Sequence, residues 1–439
     1  MKLDIDFARK IGRIKPMHAV GQPPFIWMSD QYMHYLTEAH IPYSRLHDVG
    51  GIFGGAMFVD IPNVFRNFDA DENAEASYDF AFTDELMKAL DKAKCKPIYR
   101  LGVTIENYAN IKAYHIYPPK DYEKWARICE HIVRHYNEGW ANGFHFGVEY
   151  WEIWNEPEDG PNNEMWLGTD VEYYRLYDVT AKHLKKCFGS SIKVGGYASC
   201  NLEGILQNPE RFGLKGIEPR EKNHRYYFLE YAEKFFNYIR EKGSPIDFFS
   251  WHSYASIEDI CLIAEGIQGL LKLYEYDGLE TMLNEWNNAY QTEYRGTAYA
   301  SANAAAMMLA MQGRPTDMLC YYDARIDVSS FGGMFNPMNC TPLPLYYVFK
   351  AFGELYELKN EVFCRVDGGD TLFVRAAVND EGNKKAVMIA NIGEECEINP
   401  DLDGFSVYMV DEKHHLDRVK TVGDKLTVGK NEVVLLANY

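Results

Sequence analysis

The chain has 439 residues, of which 47% are hydrophobic and 25% are charged, and its formal net charge is −19. This length fits one large barrel with a small module, and the acidic balance argues against a nucleic-acid-binding protein, which needs basic residues to neutralise phosphate. No stretch of about 18 apolar residues occurs, so no membrane span is expected.

The cysteines and the N-terminus indicate the compartment. The nine cysteines include no CxxC pair, which favours free thiols over a zinc site or a disulfide framework. The first residues, Met1–Asp6, contain no apolar signal segment. We therefore expect a cytoplasmic protein, although a chain trimmed of its signal would have the same appearance.

Most of the chain alternates strands with helices. Leu3, Ile5 and Phe7 alternate as in an edge strand, and after Pro16 short apolar runs alternate with helical patterns, which is typical of βα units. The predicted strands are Met17–Val20, Tyr43–His47, Pro97–Val103, Tyr150–Asn155, Ile192–Ala198, Asp247–Tyr254, Glu280–Trp286 and Asp317–Tyr322. Eight parallel strands close a (β/α)8 barrel, so we predict an α/β fold of the TIM-barrel type.

The helices between these strands have one apolar face each. Trp125, Ile128 and Ile132 fall on one side of a predicted helix, and Asp170 is the predicted N-cap of the next one. Ala298–Gln312 is rich in Ala and Met and is expected to be buried on more than one side. We expect these faces to pack against the barrel.

The last part of the chain changes to a pure strand pattern. Its predicted strands are Glu361–Val366, Thr371–Val378, Lys385–Ala390, Phe405–Val410 and Glu432–Leu436. Such a run with Gly, Asp and Asn turns is typical of a small β-sandwich. We predict a catalytic barrel over residues 16–357 and an accessory β-sandwich over residues 358–439, which residues 1–15 could join.

Two glutamates end predicted barrel strands. Glu156 follows an apolar run that contains Trp151 and Trp154, and Pro157 stops the strand because it has no N–H to donate. Glu285 ends the seventh barrel strand. Reactive residues of such barrels lie at the C-terminal ends of the strands, so both carboxyls should open onto one mouth.

A facing pair of carboxyls is the usual apparatus for glycoside hydrolysis. One protonates the leaving oxygen, and the other attacks the anomeric carbon or activates water. Alternatively, each glutamate could simply end a strand and meet an arginine. Partial burial of Glu156 beside the tryptophans would raise its pKa and suit it to proton donation.

With Trp154-Asn155-Glu156-Pro157 after strand four and Glu285 on strand seven, the chain resembles glycoside hydrolase family 39. This family of retaining (β/α)8 glycosidases includes β-xylosidases and α-L-iduronidases. The likeness runs from about Pro16 to Phe352, and the family's accessory β-sandwich matches the tail.

The resemblance implies roles for named residues. It makes Glu156 the general acid/base and Glu285 the nucleophile, and it makes Asn155 a donor to the substrate 2-hydroxyl. It places Arg45 beside the nucleophile, where the guanidinium would favour the ionised form. It also assigns His47, His252 and Tyr254 to substrate binding. Trp286 and Tyr322 are further candidates for substrate binding, Tyr322 as a stacking platform in place of the Trp of the family.

Several of these assignments keep an alternative. From the residues alone, His47 is as well explained by a hydrogen bond in the core as by ligand contact. Gly50–Gly55 could bring backbone close to a ligand or could only form turns. Strand eight departs from the family because Tyr322 stands where the xylosidases carry Trp. Arg325 could contact the substrate or pair with Asp323, and residues 327–344 could reshape the pocket.

The chain is therefore predicted to be a retaining exo-glycosidase that cleaves equatorial, β-xyloside-like terminal bonds. The alternatives are the same mechanism on a β-galactoside, an α-L-arabinopyranoside or a uronide, and an inactive carbohydrate-binding barrel. No cofactor or metal is expected, since His131 and His135 lack the Glu of His-Glu-x-x-His and should be surface residues. The expected partner is a carbohydrate, and a homo-oligomer is possible.

Overall fold

The computed structural model of the chain describes residues 1–26, 29–49, 59–104, 116–158, 165–326, 329, 331–367 and 369–439. No helix within these ranges is long and apolar enough to cross a membrane. The predicted Gly50–Gly55 turn lies outside the described residues. The same holds for part of the 327–344 loop.

The chain begins with strand β1 (Leu3–Arg13) and then builds a closed barrel of parallel strands. The barrel strands are β2 (Ala19–Gly21), β3 (Tyr43–Leu46), β4 (Lys96–Leu101), β5 (Tyr150–Ile153), β6 (Lys193–Ser199), β7 (Phe248–Ser253), β8 (Glu280–Trp286) and β9 (Met318–Tyr321). Each strand pairs with the next, and β2 pairs with β9 to close the ring. All eight predicted barrel strands are confirmed.

Helices surround the barrel. In the described residues they are α1 (His34–Glu38), α2 (Ile61–Val64), α3 (Ala81–Ala93), α4 (Tyr122–Glu138), α5 (Asp170–Phe188), α6 (Tyr226–Lys242), α7 (Ile257–Leu273), α8 (Ala298–Gln312) and α9 (Pro344–Leu358). Helix α8 is buried around nearly its whole circumference, as its composition predicts. The N-cap of α5 is Thr169 rather than Asp170, because Thr169 and Glu172 form a capping box.

The tail forms antiparallel sheets, and β1 joins them. The remaining strands are β10 (Asn360–Val366), β11 (Leu372–Val378), β12 (Lys385–Asn391), β13 (Cys396–Ile398), β14 (Ser406–Val410), β15 (His415–Thr421), β16 (Leu426–Val428) and β17 (Glu432–Ala437). The larger sheet has the order β1-β10-β11-β12-β17-β14-β15, and β13 pairs with β16. The predicted TIM barrel with a β-sandwich is confirmed, and the exact domain boundaries remain a prediction.

The barrel interior is layered. Near the strand starts, an apolar cluster fills the centre and consists of Ala19, Ile98, Tyr150, Phe248, Met282, Met318 and Cys320. Closer to the C-terminal ends, the buried side chains become polar and include Arg45, Arg100, Glu152, His252 and Asn284. Burying such groups is costly unless they are bonded, so this polar layer must form a fixed network.

One predicted surface residue is buried. His135 on α4 stacks on Phe80 with 3.6 Å between ring centroids, and its Nε2 lies 2.9 Å from Asp84 Oδ1. The expected surface role is therefore wrong for His135. The helical spacing alone does not reveal that Phe80, just before α3, and Asp84, in its first turn, cover this histidine.

Candidate active site

The chain turns sharply after β5, and this turn places Glu156 at the barrel mouth. The strand ends at Ile153, two residues earlier than predicted. Trp154 and Glu156 then take positive φ values of 75° and 43°, which are uncommon for such residues. The Glu156 N–H donates to the carbonyl of Ala198 at 3.1 Å, which fixes the turn to the neighbouring strand. Trp151 and Trp154 are both buried behind it.

Glu156 and Glu285 face each other across His252. The His252 Nδ1 atom lies 2.6 Å from Glu156 Oε1 and 3.5 Å from Glu285 Oε2. One oxygen of each carboxyl and a His252 ring nitrogen all lie within 4.8 Å of one another. Carboxyls roughly 5–5.5 Å apart are typical of retaining glycosidases, whereas a wider gap of about 6.5–9.5 Å is typical of inverting enzymes.

Glu285 is held by donors on both of its oxygens. Arg45 Nη1 donates to Oε1 at 2.6 Å, and the Tyr254 hydroxyl donates to Oε2 at 3.1 Å. Burial raises the pKa of Glu285, while His252 and Arg45 act in the opposite direction. The Arg45 guanidinium thus favours the ionised form of Glu285, as expected, but the effect of burial on the pKa of Glu285 is larger.

Glu156 is slightly more exposed than Glu285 and, among the described residues, has fewer hydrogen-bond partners than Glu285. Burial raises the pKa of Glu156 to about 7, and Arg45 and the Cys200 side chain partly oppose this effect. Burial also lowers the pKa of His252 to about 4, so its ring is neutral near pH 7. The Nδ1 atom of a neutral His252 accepts a hydrogen bond from protonated Glu156 or donates one to ionised Glu156, depending on its tautomer. Glu156 is therefore poised to exchange a proton near neutral pH.

Arg45 is the hub of the polar layer. Its guanidinium contacts Glu285, Glu152 at 2.7 Å and Asn155 at 2.6 Å. Glu152 is fully buried and also accepts from Asn284. The sequence analysis missed Glu152, although a charged residue inside the apolar run Tyr150–Trp154 is a signal for a buried network.

Asn155 and Glu158, on either side of Glu156 in the sequence, differ in their hydrogen bonds. Asn155 Oδ1 accepts from Arg45, and its buried Nδ2 has no partner in the described part of the chain. Asn155 therefore has a donor available for a ligand. Glu158 Oε1 accepts from Ser199 Oγ at 2.8 Å and from the Cys200 N–H at 2.9 Å. Glu158 was also missed, because its partners lie at the end of a different strand, β6.

Of the predicted substrate-binding residues His47, Tyr322 and Trp286, His47 is the one with an atom close to Glu285. His47 Nε2 lies 3.8 Å from Glu285 Oε1 and 3.2 Å from Asp48 Oδ1. The Tyr322 hydroxyl donates to Asp48 Oδ2 at 2.5 Å. Trp286 is fully buried, with its ring 5.2 Å from that of Tyr321, so its predicted substrate contact remains a prediction.

Arg325 pairs with Asp323 at 3.0 Å, and Asp323 also accepts from the Ser329 hydroxyl at 2.6 Å. Of the two alternatives from the sequence, the structure therefore has the ion pair. Asp323 is itself fully buried, which makes this pairing costly to break.

In the part of the chain that the structure describes, two clusters carry groups close enough together to hold a metal ion. One is Glu156, His252 and Glu285, and the other is Glu130, His183 and Cys187 on helices α4 and α5. In the second cluster Glu130 already bonds His183 at 2.6 Å and Arg134 at 2.7 Å. A cation beside Arg134 would be repelled, so these groups are better explained as a link between two helices.

Comparison with known proteins identifies the family. The model of glycosyl hydrolases family 39 matches residues 1–306. A β-xylosidase of Caldicellulosiruptor saccharolyticus is 26% identical over 397 residues, covering 81% of this chain and 72% of that protein. A β-xylosidase of Geobacillus stearothermophilus is 22% identical over 346 residues, covering 69% of this chain and only 62% of that protein.

Solved structures share the fold along the whole chain. A glucosidase from Croceicoccus marinus has a TM-score of 0.78 at 19% identity, covering 99% of this chain and 98% of that one. A family 39 β-xylosidase from Caulobacter crescentus has a TM-score of 0.69 at 18% identity, covering 100% and 99%. The family model covers most of the chain, so the protein belongs to glycosyl hydrolases family 39 and is a glycoside hydrolase.

Proposed function

We propose that the protein is a retaining exo-glycosidase that acts on β-xyloside-like terminal bonds through Glu156 and Glu285. The observation that carries the proposal is the pair of carboxyls within 4.8 Å of one another, one beside Arg45 and Tyr254 and the other with a pKa of about 7. The β-xylosidases among the relatives support the choice of sugar.

In the first step Glu285 attacks the anomeric carbon and Glu156 protonates the leaving oxygen. The Glu285–carbon bond forms as the glycosidic bond breaks, and the leaving group departs as an alcohol. Arg45 and Tyr254 hold the attacking carboxylate in place through their bonds to its two oxygens. Fixing both reactants in this way removes much of the entropic cost of the encounter.

In the second step Glu156, now ionised, removes a proton from water. The water oxygen attacks the anomeric carbon, the bond to Glu285 breaks, and the sugar leaves with its configuration retained. His252, 2.6 Å from Glu156, can keep the same hydrogen bond in both protonation states by changing its tautomer. Asn155 has a buried donor that could meet the substrate 2-hydroxyl.

A panel of aryl glycosides tests this proposal. The substrates are the 4-nitrophenyl β-xyloside, β-glucoside, β-galactoside, α-L-arabinopyranoside and β-glucuronide, each followed by absorbance. We expect the highest kcat/KM with the β-xyloside and a β-configured first product by NMR. An α-configured first product would contradict retention, and activity on no substrate would favour the inactive carbohydrate-binding barrel.

A further inference from the structure

The C-terminal end of β6 extends beyond its pairing with β5. The last register pair between these strands joins Glu152 and Gly195, so Tyr197–Ser199 continue past the paired part. The register with β7, on the other side, shifts within the same stretch. Ala198 also takes a positive φ of 57°, which is uncommon for a residue other than glycine. The position of this strand end therefore depends on contacts outside the regular sheet.

Glu156 and Glu158, in the turn after β5, both bind this strand end. The Glu156 N–H donates to the Ala198 carbonyl at 3.1 Å, and Glu158 Oε1 accepts from Ser199 Oγ at 2.8 Å and from the Cys200 N–H at 2.9 Å. The Cys200 thiol in turn forms a hydrogen bond with the Glu156 carboxyl, which lowers the pKa of Glu156. Cys200 is thus held by Glu158 through its backbone and contacts Glu156 through its side chain.

The bonding of Glu158 is that of a neutral carboxylic acid. The residue is only 1% exposed, and Oε1 accepts both bonds while Oε2 has no partner among the described residues. In a protonated carboxyl one oxygen accepts as a carbonyl does and the other carries the proton. Burial raises the pKa of Glu158 well above its ordinary value, and the nearby Glu156 acts in the same direction.

Phenol groups from three elements face Glu158. Burial raises the pKa of each phenol, so all of them are neutral near pH 7 and none supplies a positive charge that would favour an ionised carboxyl. These residues are Tyr173 and Tyr174 on α5, Tyr197 on β6, and Tyr227 and Tyr231 on α6.

A neutral Glu158 affects Glu156 through position and not through charge. Burial raises the pKa of Glu156, and Arg45 and Cys200 lower it. Because Glu158 remains protonated while Glu156 titrates, its influence on that titration passes through the strand end that carries Cys200. The titratable and charged groups that face the Glu156 carboxyl are Arg45, Cys200, His252 and Glu285.

We propose that Glu158 is a positioning residue that, as a neutral acid, holds the end of β6 and thereby keeps the Cys200 thiol on the Glu156 carboxyl. This inference rests on the proposed function, since Glu156 is the acid/base of the proposed reaction. It gives a role to a buried carboxyl that neither attacks the sugar nor transfers its proton.

The first test is the pH dependence of kcat/KM for phenyl β-xyloside in the wild type and in Glu158→Met. Met has nearly the size of Glu but offers only a weak acceptor, so Ser199 and the Cys200 N–H lose their partner. Without the thiol the pKa of Glu156 is higher, so the alkaline limb should move to higher pH. The ratio of kcat/KM at pH 8.5 to that at pH 6 should rise at least about twofold. An unchanged limb in a folded variant would overturn the inference.

Glu158→Gln is the matched control. Its amide has a carbonyl oxygen and an NH2 group where the neutral acid has C=O and O–H, and it cannot ionise. The alkaline limb should therefore stay at its wild-type position. If Glu158 were ionised, Glu158→Gln would remove a negative charge beside Glu156 and move the limb to lower pH, which would contradict the neutral state.

A double variant tests the route through Cys200. Glu158→Met combined with Cys200→Ala should move the alkaline limb no further than Cys200→Ala does alone, because both changes remove the same contact. Shifts that add up in the double variant would show that Glu158 acts on Glu156 by another route and would overturn the inference.

Alkylation of Cys200 by iodoacetamide gives a readout that needs no activity. Release of the strand end should raise the labelling rate of Cys200 at least about threefold in Glu158→Met and leave it unchanged in Glu158→Gln. Peptide mass spectrometry measures the rate, with the half-buried Cys187 and Cys364 as internal controls. An unchanged rate at Cys200 in folded Glu158→Met would contradict the proposed hold on the strand end.

If Glu158→Met does not fold, as judged by circular dichroism, Ser199→Ala takes its place in both measurements. It removes one of the two bonds that Glu158 accepts, so both effects should have the same direction and a smaller size, and no effect in either would overturn the inference. A wild type that hydrolyses no glycoside would reject the proposed function, while the labelling rates would still decide whether Glu158 holds Cys200.

Discussion

Arg45 is the residue that connects the two reacting carboxyls to the rest of the barrel. It contacts Glu285, Glu152 and Asn155, and it lowers the pKa of both Glu156 and Glu285. The contrast between the glutamates therefore comes from their other neighbours. Glu285 accepts from Arg45 and Tyr254, whereas Glu156, among the residues that the structure describes, faces a neutral imidazole and a thiol.

Replacing each glutamate should have a different effect on turnover. Glu156→Gln should reduce kcat by about 10²–10⁴-fold for glycosides with poor leaving groups. The same variant should lose much less kcat on activated aryl glycosides, because their leaving oxygen needs less protonation. Glu285→Gln should abolish both activities, because no covalent intermediate can form. The measurement is kcat on aryl glycosides of graded leaving-group pKa, and normal activity of Glu285→Gln would end its assignment as nucleophile.

The pH profile should reflect the proton on Glu156. The acid is active when protonated, and burial raises its pKa to about 7, so kcat/KM should fall by about tenfold per unit as pH rises beyond about 7. Cys200 lowers this pKa, so Cys200→Ala should move the alkaline limb to higher pH. Cys187→Ala, on the outer helix α5, serves as the control and should leave the profile unchanged.

Some residues of the site can be predicted from the sequence and others cannot. Glu156 and Glu285 end strands, and the resemblance brings Arg45 and Tyr254 with them. Glu152, Asp48 and Glu158 were missed because their roles depend on partners more than forty residues away, such as Arg45 and Tyr322. Pairings at that distance are set by the closed barrel and not by local pattern.

At the scale of elements, buried strands are the easiest features to predict. The barrel strands are covered on both faces, so they form continuous apolar runs and stand out from helices. Strands β13, β15 and β16 were missed for the opposite reason. β15 is almost entirely exposed, and β13 and β16 have three residues each, so neither has a readable pattern.

Close packing of α9 against α1 depends on Gly353. A Cβ atom placed there would lie 2.2 Å from the backbone oxygen of Ala39, which cannot move aside as a side chain can. Gly353→Ala should therefore lower the free energy of unfolding by about 1–3 kcal/mol, despite the better helix propensity of Ala. Thermal melting checks this, with Gly423→Ala as a control, because nothing lies within 4 Å of a Cβ at that position.

At the scale of the whole molecule, the N-terminal strand and the tail are attached to the barrel by α8. Gln312 at the end of α8 accepts from the Lys15 N–H at 2.9 Å, and it donates to the Arg13 carbonyl at 2.9 Å and to Glu361 at 2.8 Å. One buried side chain thus links β1, β10 and the barrel.

Gln312→Leu should destabilise this junction. The substitution removes three hydrogen bonds at once, and the one to Glu361 is fully buried, so the free energy of unfolding should fall by about 1–3 kcal/mol. Denaturant unfolding measures the change. Gln268→Leu is the matched control, because Gln268 is only half-buried and donates one bond, to the Pro315 carbonyl, so it should have a much smaller effect.

The central claim is that Glu285 forms a covalent bond to the sugar while Glu156 transfers the proton. The most direct test is to incubate the protein with an activated 2-deoxy-2-fluoro-β-xyloside, which slows hydrolysis of the intermediate, and to locate the label by peptide mass spectrometry. We predict one fluoroxylosyl group, on the peptide that contains Glu285. A label on another carboxyl, or rapid turnover of a substrate that never labels the protein, would contradict the account.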